Sequence, residues 1–339
     1  MTDDCVKVAV IGCGRIGCGF DDNSKTIQTH AGSYFTNSKT KLVSLCDVDT
    51  SKLKKYGQKY QVSSLYTDSE QMFKNEDLDC VSICTLADTH LDLVTQAAKN
   101  NVKAIIVEKP ISNSLADSKK IIEICKRHKI KLAIDHQRRF NPFYRSLSDF
   151  LKRKKLGYIQ SVNVYYGSGI ANTGSHLFDV LRLFFGEVYS LTSTSSKPNA
   201  INPSDPNINA ILKFNSGTIC NLQSVDYSKY ALLEIDMLGN MGRIKLNMTN
   251  DEITYFKVVK GKVYNSLVPS NLKLRSPKKT PIQLAVENLI NLIGTKKEPL
   301  CTGYDGYKSL ELIVASLISS KTKKKVILPL KNNYKIRSK

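Results

Sequence analysis

The sequence predicts two domains: an α/β domain built on a parallel sheet, then an α+β domain with an antiparallel or mixed sheet. The chain has 339 residues, which is enough for two domains of ordinary size. Strand and helix patterns alternate over the first third, which favours a parallel sheet. Strand-like segments joined by short turns then follow one another, which favours antiparallel pairing. We place the boundary between residues 136 and 137.

The composition is that of a soluble globular protein, with 41% hydrophobic and 24% charged residues. No apolar run is as long as a membrane span, and the acidic N-terminal segment leads directly into a strand. We therefore expect neither a membrane helix nor a signal peptide. The nine cysteines include no C-x-x-C pair. We expect reduced thiols in a cytoplasmic protein, and no metal site.

The chain carries a formal charge of +20, from 50 basic and 30 acidic residues. Such an excess can attract nucleic acid, a membrane surface or an anionic small molecule. The basic residues are spread along the chain, and no helix-turn-helix or zinc-finger pattern accompanies them. We therefore expect a lysine-rich solvated surface and no nucleic-acid or membrane partner, with an anionic ligand as the more specific alternative.

The first strand, residues 6–11, leads into a G-x-G-x-x-G motif. In such a motif Gly12 allows a tight turn, Gly14 lets the backbone approach a pyrophosphate, and Gly17 lets the next helix pack closely. Backbone N–H groups then face the anion. A glycine-rich turn without a ligand is the simpler alternative, but the preceding strand favours nucleotide binding. The predicted cofactor-binding residues of this loop are Gly12, Gly14, Arg15, Ile16 and Gly17.

The second strand, residues 42–46, ends in Asp47. A polar insertion at residues 18–29, which could shape the rim of a pocket, separates the glycine motif from the next helix and places this acid later than usual. We expect Asp47 to accept hydrogen bonds from an adenosine ribose. A carboxylate at this position would repel a 2′-phosphate, so NAD is favoured over NADP. The alternative is that Asp47 only caps the following helix.

Three more strands are predicted at residues 80–84, 104–107 and 131–134, with helices between them. Thr85 follows the first of these strands, and His90 begins the next helix. Glu108 and Lys109, followed by a proline, come directly after residues 104–107. Parallel sheets bind ligands at the carboxyl ends of their strands. We therefore expect these four side chains to take part in cofactor binding.

In the second half, a helix at residues 142–154 precedes predicted strands at 159–166, 210–214, 218–225, 232–238 and 242–246. A helix at residues 176–185 lies among them, and helices at 281–293 and 304–320 close the chain. Asn172, His176 and Asp179 lie at i, i+4 and i+7, so His176 and Asp179 would share one helix face. A capped helix start with a buried His–Asp pair is the simpler alternative.

Taken together, these motifs resemble the Gfo/Idh/MocA family, the enzymes of glucose–fructose oxidoreductase and inositol dehydrogenase type. The resemblance extends from residue 6 to about residue 320. It rests on G-C-G-R-I-G at 12–17, Asp47, E-K-P at 108–110, R-F-N-P at 139–142 and N-T-G-S-H-L-F-D at 172–179. It implies a Rossmann domain at 1–136, then an α+β domain at 137–339 with an open-faced, mostly antiparallel sheet for substrate binding and oligomerisation. A homodimer or homotetramer would cover the open face.

The family resemblance also implies a reaction. Members move a hydride between NAD(P) and a hydroxyl-bearing carbon, here of a sugar, a cyclitol or a nucleotide-linked sugar. The catalytic lysine and histidine map onto Lys109 and His176. Neutral His176 would take the alcohol proton, and Lys109 would stabilise negative charge on the oxygen. Arg139 and Asp179 complete the implied substrate-binding residues.

Asn172 stands where the family often has aspartate, and an amide cannot take a proton. Either His176 alone is the base, or Asn172 only orients the substrate. This departure supports an alternative, an NAD-binding sensor or regulatory module without turnover. An imine or pigment reductase on the same fold is a third possibility.

Overall fold

The computed structural model describes residues 5–196 and 202–331 and divides the chain into two compact units. The first unit contains the chain up to Asn141 together with Pro277–Tyr307. The second contains Pro142–Ser276 together with the chain from Lys308 onward. A later segment of the chain thus belongs to the first unit.

The first unit is built on a six-stranded parallel sheet with the order 3-2-1-4-5-6. This is the order of a doubly wound Rossmann sheet, in which ligands bind where the strand order reverses, between strands 1 and 4. Strands 4 and 5 are buried along their whole length, as a sheet covered on both faces requires. The strands are β1 (Val6–Ile11), β2 (Thr40–Cys46), β3 (Ser64–Tyr66), β4 (Cys80–Ile83), β5 (Ala104–Val107) and β6 (Lys131–Ile134).

Five helices connect these strands, and polar side chains fix where four of them begin. Thr29, Asp49, Asp68 and Ser114 accept hydrogen bonds from first-turn amides, which are otherwise unpaired at a helix start. The cap of the helix after β2 is therefore Asp49 and not Asp47. The helices are α1 (His30–Phe35), α2 (Thr50–Tyr60), α3 (Ser69–Asn75), α4 (His90–Lys99) and α5 (Leu115–Arg127).

The insertion at residues 18–29 is an ordered segment that begins with a 3₁₀ helix at Gly19–Asp22. It is tied to α2 through Asp22, whose carboxylate lies 2.6 Å from Lys55 Nζ and 2.9 Å from Lys59 Nζ. These two lysines lower the pKa of Asp22 to about 2. The insertion thus covers one side of the glycine motif.

The second unit is built on a nine-stranded sheet with the order 14-13-12-11-7-10-9-8-15. Strands 7 and 10 run parallel, and the other neighbouring pairs are antiparallel. The predicted fold class is confirmed. The strands are β7 (Ile159–Tyr166), β8 (Val188–Ser195), β9 (Ile208–Phe214), β10 (Ile219–Ser224), β11 (Glu234–Gly239), β12 (Gly242–Asn247), β13 (Glu252–Val259), β14 (Ser266–Ser270) and β15 (Val326–Ile327).

One face of this sheet packs into the core of the second unit. Val162, Leu212 and Leu222 from the strands join Phe178 and Ile313 from the helices in one buried cluster. Burial alternates along β9 and β10, so the opposite face is exposed. The remaining helices are α6 (Pro142–Lys152), α7 (Gly174–Phe185), α8 (Pro281–Ile290) and α9 (Gly303–Thr322).

Several elements differ from their sequence predictions. Strands β3, β8, β13, β14 and β15 were not predicted, and α7 begins two residues earlier than expected, after a π-helical turn at Gly169–Thr173. In β14 four of the five residues are exposed, so its sequence lacks the alternation that marks a strand. In β13 the partly buried Ile253 and Tyr255 pack against the core, so a strand pattern was present there and was missed. Among the described residues, no helix has the length and apolar character needed to cross a membrane.

Candidate active site

The three glycines of the motif after β1 have different surroundings. Gly12 has a φ of +94°, and a Cβ there would lie 2.7 Å from the Cys84 carbonyl carbon. A Cβ on Gly17 would lie 1.9 Å from the Gly12 carbonyl oxygen. A Cβ on Gly14 would meet no other described residue within 4 Å. The protein itself requires glycine at positions 12 and 17, whereas the space above Gly14 is open.

A cavity of about 530 Å³ lies beside this loop in the first unit. The half-buried backbone of Gly14 borders it, and so do Arg15 and Lys52. The insertion contributes Phe20, whose ring centroid lies 4.7 Å from the Arg15 guanidinium carbon. The Asp22 carboxylate also borders the cavity but is paired with Lys55 and Lys59, so the two cations and the glycine-rich backbone suit an anionic ligand.

Asp47 follows β2, and its side chain accepts a hydrogen bond from the backbone of the glycine loop. Its Oδ2 accepts a hydrogen bond of 2.6 Å from the Cys13 amide, and its Oδ1 accepts one of 2.9 Å from the Asp49 amide. A carboxylate has about four lone-pair sites, so both oxygens keep capacity for a ribose hydroxyl. Asp47 thus has a structural contact that the sequence did not reveal.

The loop after β4 carries Thr85 and leads into α4 at His90. Thr85 is half-buried, and its hydroxyl oxygen lies 2.7 Å from that of Thr89. The buried His90 ring lies 3.1 Å from the Ile111 carbonyl oxygen and 3.2 Å from the Thr85 carbonyl oxygen. Burial lowers the pKa of His90, which favours the neutral ring. His90 therefore contacts the loop backbone and would act on a cofactor through Thr85.

Glu108 and Lys109 follow β5. Glu108 is buried, Lys109 is half-buried, and the Lys109 amide donates to Glu108 Oε2 over 3.1 Å. Glu108 Oε1 lies 3.3 Å from His30 Nε2, and Asp135 Oδ2 lies 3.5 Å from the same nitrogen. The sequence analysis missed His30 and Asp135 as partners of Glu108. The available signal was positional, because Asp135 directly follows β6, the neighbour of β5 in the sheet.

Arg139 lies in a 3₁₀ turn at Gln137–Arg139, directly after β6 and His136. It is half-buried, and its guanidinium lies 3.1 Å from Asp305 Oδ1. This ion pair joins two segments of the first unit. Arg139 is thus already engaged by a carboxylate, which orients its side chain.

In the second unit, the turn before α7 is organised by a residue that the sequence analysis missed. The Asp205 carboxylate accepts hydrogen bonds from the amides of Ala171 and Asn172, at 2.7 and 2.8 Å. Asn172 is exposed, and its side-chain amide lies 3.4 Å from the Ser168 hydroxyl. His176, in the first turn of α7, is half-buried, whereas Asp179 is completely buried. Asn172 and His176 thus lie at the start of α7, and Asp179 faces the interior.

Two family models match the chain. The one described as an oxidoreductase family with an NAD-binding Rossmann fold matches residues 6–136, and the one described as its C-terminal alpha/beta domain matches residues 167–328. The chain belongs to the Gfo/Idh/MocA oxidoreductase family. The predicted family is thereby confirmed. The prediction of an NAD(P)-dependent dehydrogenase or reductase with NAD as cofactor is confirmed as well.

Relatives of this Gfo/Idh/MocA protein include dehydrogenases. A protein named D-apiose dehydrogenase from Paraburkholderia graminis is 26% identical over 334 residues, covering 90% of this chain and 86% of that protein. The scyllo-inositol 2-dehydrogenase (NAD(+)) of Bacillus subtilis is 24% identical, with 97% and 98% coverage. The WlbA dehydrogenase of Bordetella pertussis, crystallised with NADH and UDP-GlcNAcA, is 19% identical with a TM-score of 0.77, covering 96% of this chain and 99% of that one.

Proposed function

We propose that this oxidoreductase transfers a hydride between NAD and a hydroxyl-bearing carbon of a sugar, a cyclitol or a nucleotide-linked sugar. One observation carries the proposal: the glycine loop, the Thr85 loop and Lys109 follow β1, β4 and β5, which are adjacent parallel strands. Their carboxyl ends lie at one edge of the sheet, where such sheets bind dinucleotides. The names of the relatives, with apiose, inositol and a UDP-linked sugar, support the substrate class.

At the cofactor, the cavity beside Gly14 and Arg15 would take the pyrophosphate and the adenosine end. Asp47 would accept a ribose hydroxyl, which favours NAD over NADP because a carboxylate repels a 2′-phosphate. Ile16 would contribute its backbone to the loop. Thr85, His90 and Glu108 would support the site from the neighbouring strand ends.

At the substrate, Lys109 and His176 form the proposed catalytic pair. Bound NAD supplies the hydride chemistry, and the chain supplies orientation and proton transfer. Neutral His176 takes the proton of the substrate hydroxyl, and the Lys109 ammonium donates a hydrogen bond to the same oxygen. Asn172 cannot accept the proton and would orient a neighbouring hydroxyl. Arg139 and Asp179 complete the proposed substrate-binding residues; because Asp179 is completely buried, it would act by supporting the helix that carries His176 and not by direct contact.

Cofactor binding and substrate binding would belong to different domains of the chain. Residues 1–136 would bind NAD, and residues 137–339 would bind substrate and form the oligomer. The open face of the second sheet carries exposed Tyr165, Ile211 and Ile219, which supports association into a homodimer or homotetramer. The nine cysteines are all free, which supports a cytoplasmic location.

Turnover with a substrate panel tests this function. The purified protein is incubated with NAD and a series of sugars, cyclitols and nucleotide-linked sugars, and reduced-nicotinamide absorbance is followed. We expect an increase in absorbance with at least one member, and a rate lower by about 10²-fold or more in a matched sample of His176→Ala. Binding of NAD without turnover on the whole panel would contradict the proposal and point to a sensor.

A further inference from the structure

Three buried side chains of the first unit meet behind Lys109. His30 comes from the start of α1, Glu108 follows β5 and Asp135 follows β6. The His30 side chain is completely buried, Asp135 likewise, and the Glu108 side chain is 11% exposed. We call these three residues the buried triad. Two carboxyl groups are removed from water here, and the ionised one needs a compensating charge because an unpaired buried ion is costly.

The contacts of the His30 ring define where its protons are. Nε2 lies 3.3 Å from Glu108 Oε1 and 3.5 Å from Asp135 Oδ2, and the oxygens of the ionised Asp135 carboxylate only accept hydrogen bonds. Nε2 must therefore carry a proton for this arrangement to be attractive. Nδ1 lies 2.9 Å from Ser82 Oγ, which in turn lies 2.8 Å from the Tyr34 hydroxyl. Ser82 can donate to Tyr34 and accept from Nδ1, so these contacts allow a proton on both ring nitrogens.

We propose that His30 is held as an imidazolium by Asp135 and Glu108, and that this buried triad is the positioning element for Lys109. The link to Lys109 is direct, because the second oxygen of Glu108 accepts the Lys109 amide over 3.1 Å. The imidazolium fixes one oxygen of Glu108, and the other fixes the backbone from which the lysine side chain extends. His30 is a positioning residue and not a catalytic one.

The remaining groups around His30 bring little charge of their own near neutral pH. Cys84, directly after β4, faces the His30 ring, and the Tyr34 hydroxyl is linked to that ring through Ser82. Burial raises the pKa of the Cys84 thiol and of the Tyr34 hydroxyl. Burial alone lowers the pKa of His30, and the contacts with Asp135 and Glu108 raise it. Burial raises the pKa of Asp135, and the hydrogen bond and charge of His30 bring it below the ordinary value, so Asp135 is the ionised partner. Asp135 Oδ1 has no hydrogen-bond partner within residues 5–196 and 202–331, so the pairing through Oδ2 must compensate its burial.

The protonation of His30 is measured in the full-length protein without any substrate. Protein labelled with ¹⁵N-histidine is titrated from acid to alkaline pH, and long-range ¹H–¹⁵N spectra report the two ring nitrogens of each of the five histidines. The resonances of His30 are those absent from His30→Gln. We expect His30 to keep both protons at pH 7, above the ordinary histidine pKa of 6.5. A neutral His30 ring at pH 7 overturns the proposal.

A second variant keeps the test valid if His30→Gln does not fold. Asp135→Asn removes one of the two carboxylates, so the His30 proton should be released at a lower pH than in the wild type. An unchanged titration contradicts the pairing with Asp135.

The three side chains of the buried triad also offer ligand atoms within 4.8 Å of one another. Elemental analysis that finds one metal ion per chain in the wild type, and none in Asp135→Asn, assigns the compensating charge to a metal and overturns the imidazolium.

The positioning role rests on the proposed dehydrogenase activity and needs its own readout. His30→Gln should lower kcat by about 10²-fold, the effect of displacing a reacting group by roughly 1 Å. The affinity for NAD should stay near that of the wild type, and adding Asp135→Asn should restore part of kcat because it removes one uncompensated carboxylate. An unchanged kcat in His30→Gln overturns the positioning role. If the wild type shows no turnover, the proposed function fails, while the ¹⁵N titration still decides the state of His30.

Discussion

Replacing two glycines of the same loop by alanine separates the needs of the fold from those of the cofactor. A methyl group on Gly17 would lie 1.9 Å from the Gly12 carbonyl oxygen, a backbone atom that cannot rotate away. The loop must shift, and overpacking of this kind costs about 1–3 kcal/mol. We expect Gly17→Ala to lower the free energy of unfolding by at least that range and to weaken NAD binding as a consequence.

Gly14→Ala is the matched variant, because its methyl group would point into open space. Removing backbone freedom from the unfolded chain stabilises a protein by about 0.4–1 kcal/mol where the fold tolerates alanine. The same methyl group would hold the pyrophosphate away from the loop amides. Loss of one charge-assisted hydrogen bond, about 1.5–3 kcal/mol, corresponds to a roughly 10- to 150-fold weaker affinity for NAD.

Urea denaturation and calorimetric titration with NAD, run on both variants and the wild type, check these values. The expected pattern is a stable Gly14→Ala protein that binds NAD poorly and a destabilised Gly17→Ala protein. Wild-type NAD affinity in Gly14→Ala would refute the placement of the pyrophosphate over this glycine. A destabilised Gly14→Ala protein would contradict the finding that a methyl group at this position meets no other described residue within 4 Å.

Three further predictions concern the cofactor, pH and surface charge. Calorimetric titration should show tighter binding of NAD than of NADP, and equal or stronger binding of NADP would remove Asp47 from its assigned role. Burial, followed by the charge of Asp135, raises the pKa of Glu108 above its ordinary value of 4.5, so the folded protein holds a proton there that the unfolded chain releases. Stability should therefore fall as the pH rises from 4.5 through the higher pKa of the folded protein, and chemical denaturation should show a smaller fall in Glu108→Gln; equal slopes would contradict the burial effect. Fluorescence anisotropy with duplex DNA at physiological salt should show no binding tighter than the non-specific range of about 10⁻⁴–10⁻⁶ M, and sub-micromolar sequence-selective binding would contradict a merely solvated charge.

The parts of the fold that local sequence determines were predictable. β1 and the glycine motif follow from alternation and glycine spacing over a dozen residues, and the predicted bounds of β1, β5 and β6 agree with the structure. The insertion at 18–29 was recognised by its polarity. Its attachment was not, because the lysines of α2 that hold Asp22 lie more than 30 residues later.

The contacts that support the candidate site depend on the register of distant elements. His30 and Asp135 are 105 positions apart in the chain, and they meet because the first residue of α1 lies close to the residue that follows β6. Asp205 organises the turn at Gly169–Thr173 from more than 30 residues away. Strand β14 escaped prediction for a different reason, because four of its five residues are exposed and no face carries an apolar pattern.

The proposed catalytic pair is tested most directly by turnover of Lys109→Met and His176→Ala beside the wild type, with NAD affinity measured on the same samples. Lys109→Met removes the charge and the donors while nearly keeping the length, and His176→Ala removes the base. Each should lower kcat by about 10²–10⁴-fold, the usual contribution of such a group, and leave NAD affinity nearly unchanged. A His176→Ala enzyme as fast as the wild type across the pH range would contradict the account and assign the proton to another group.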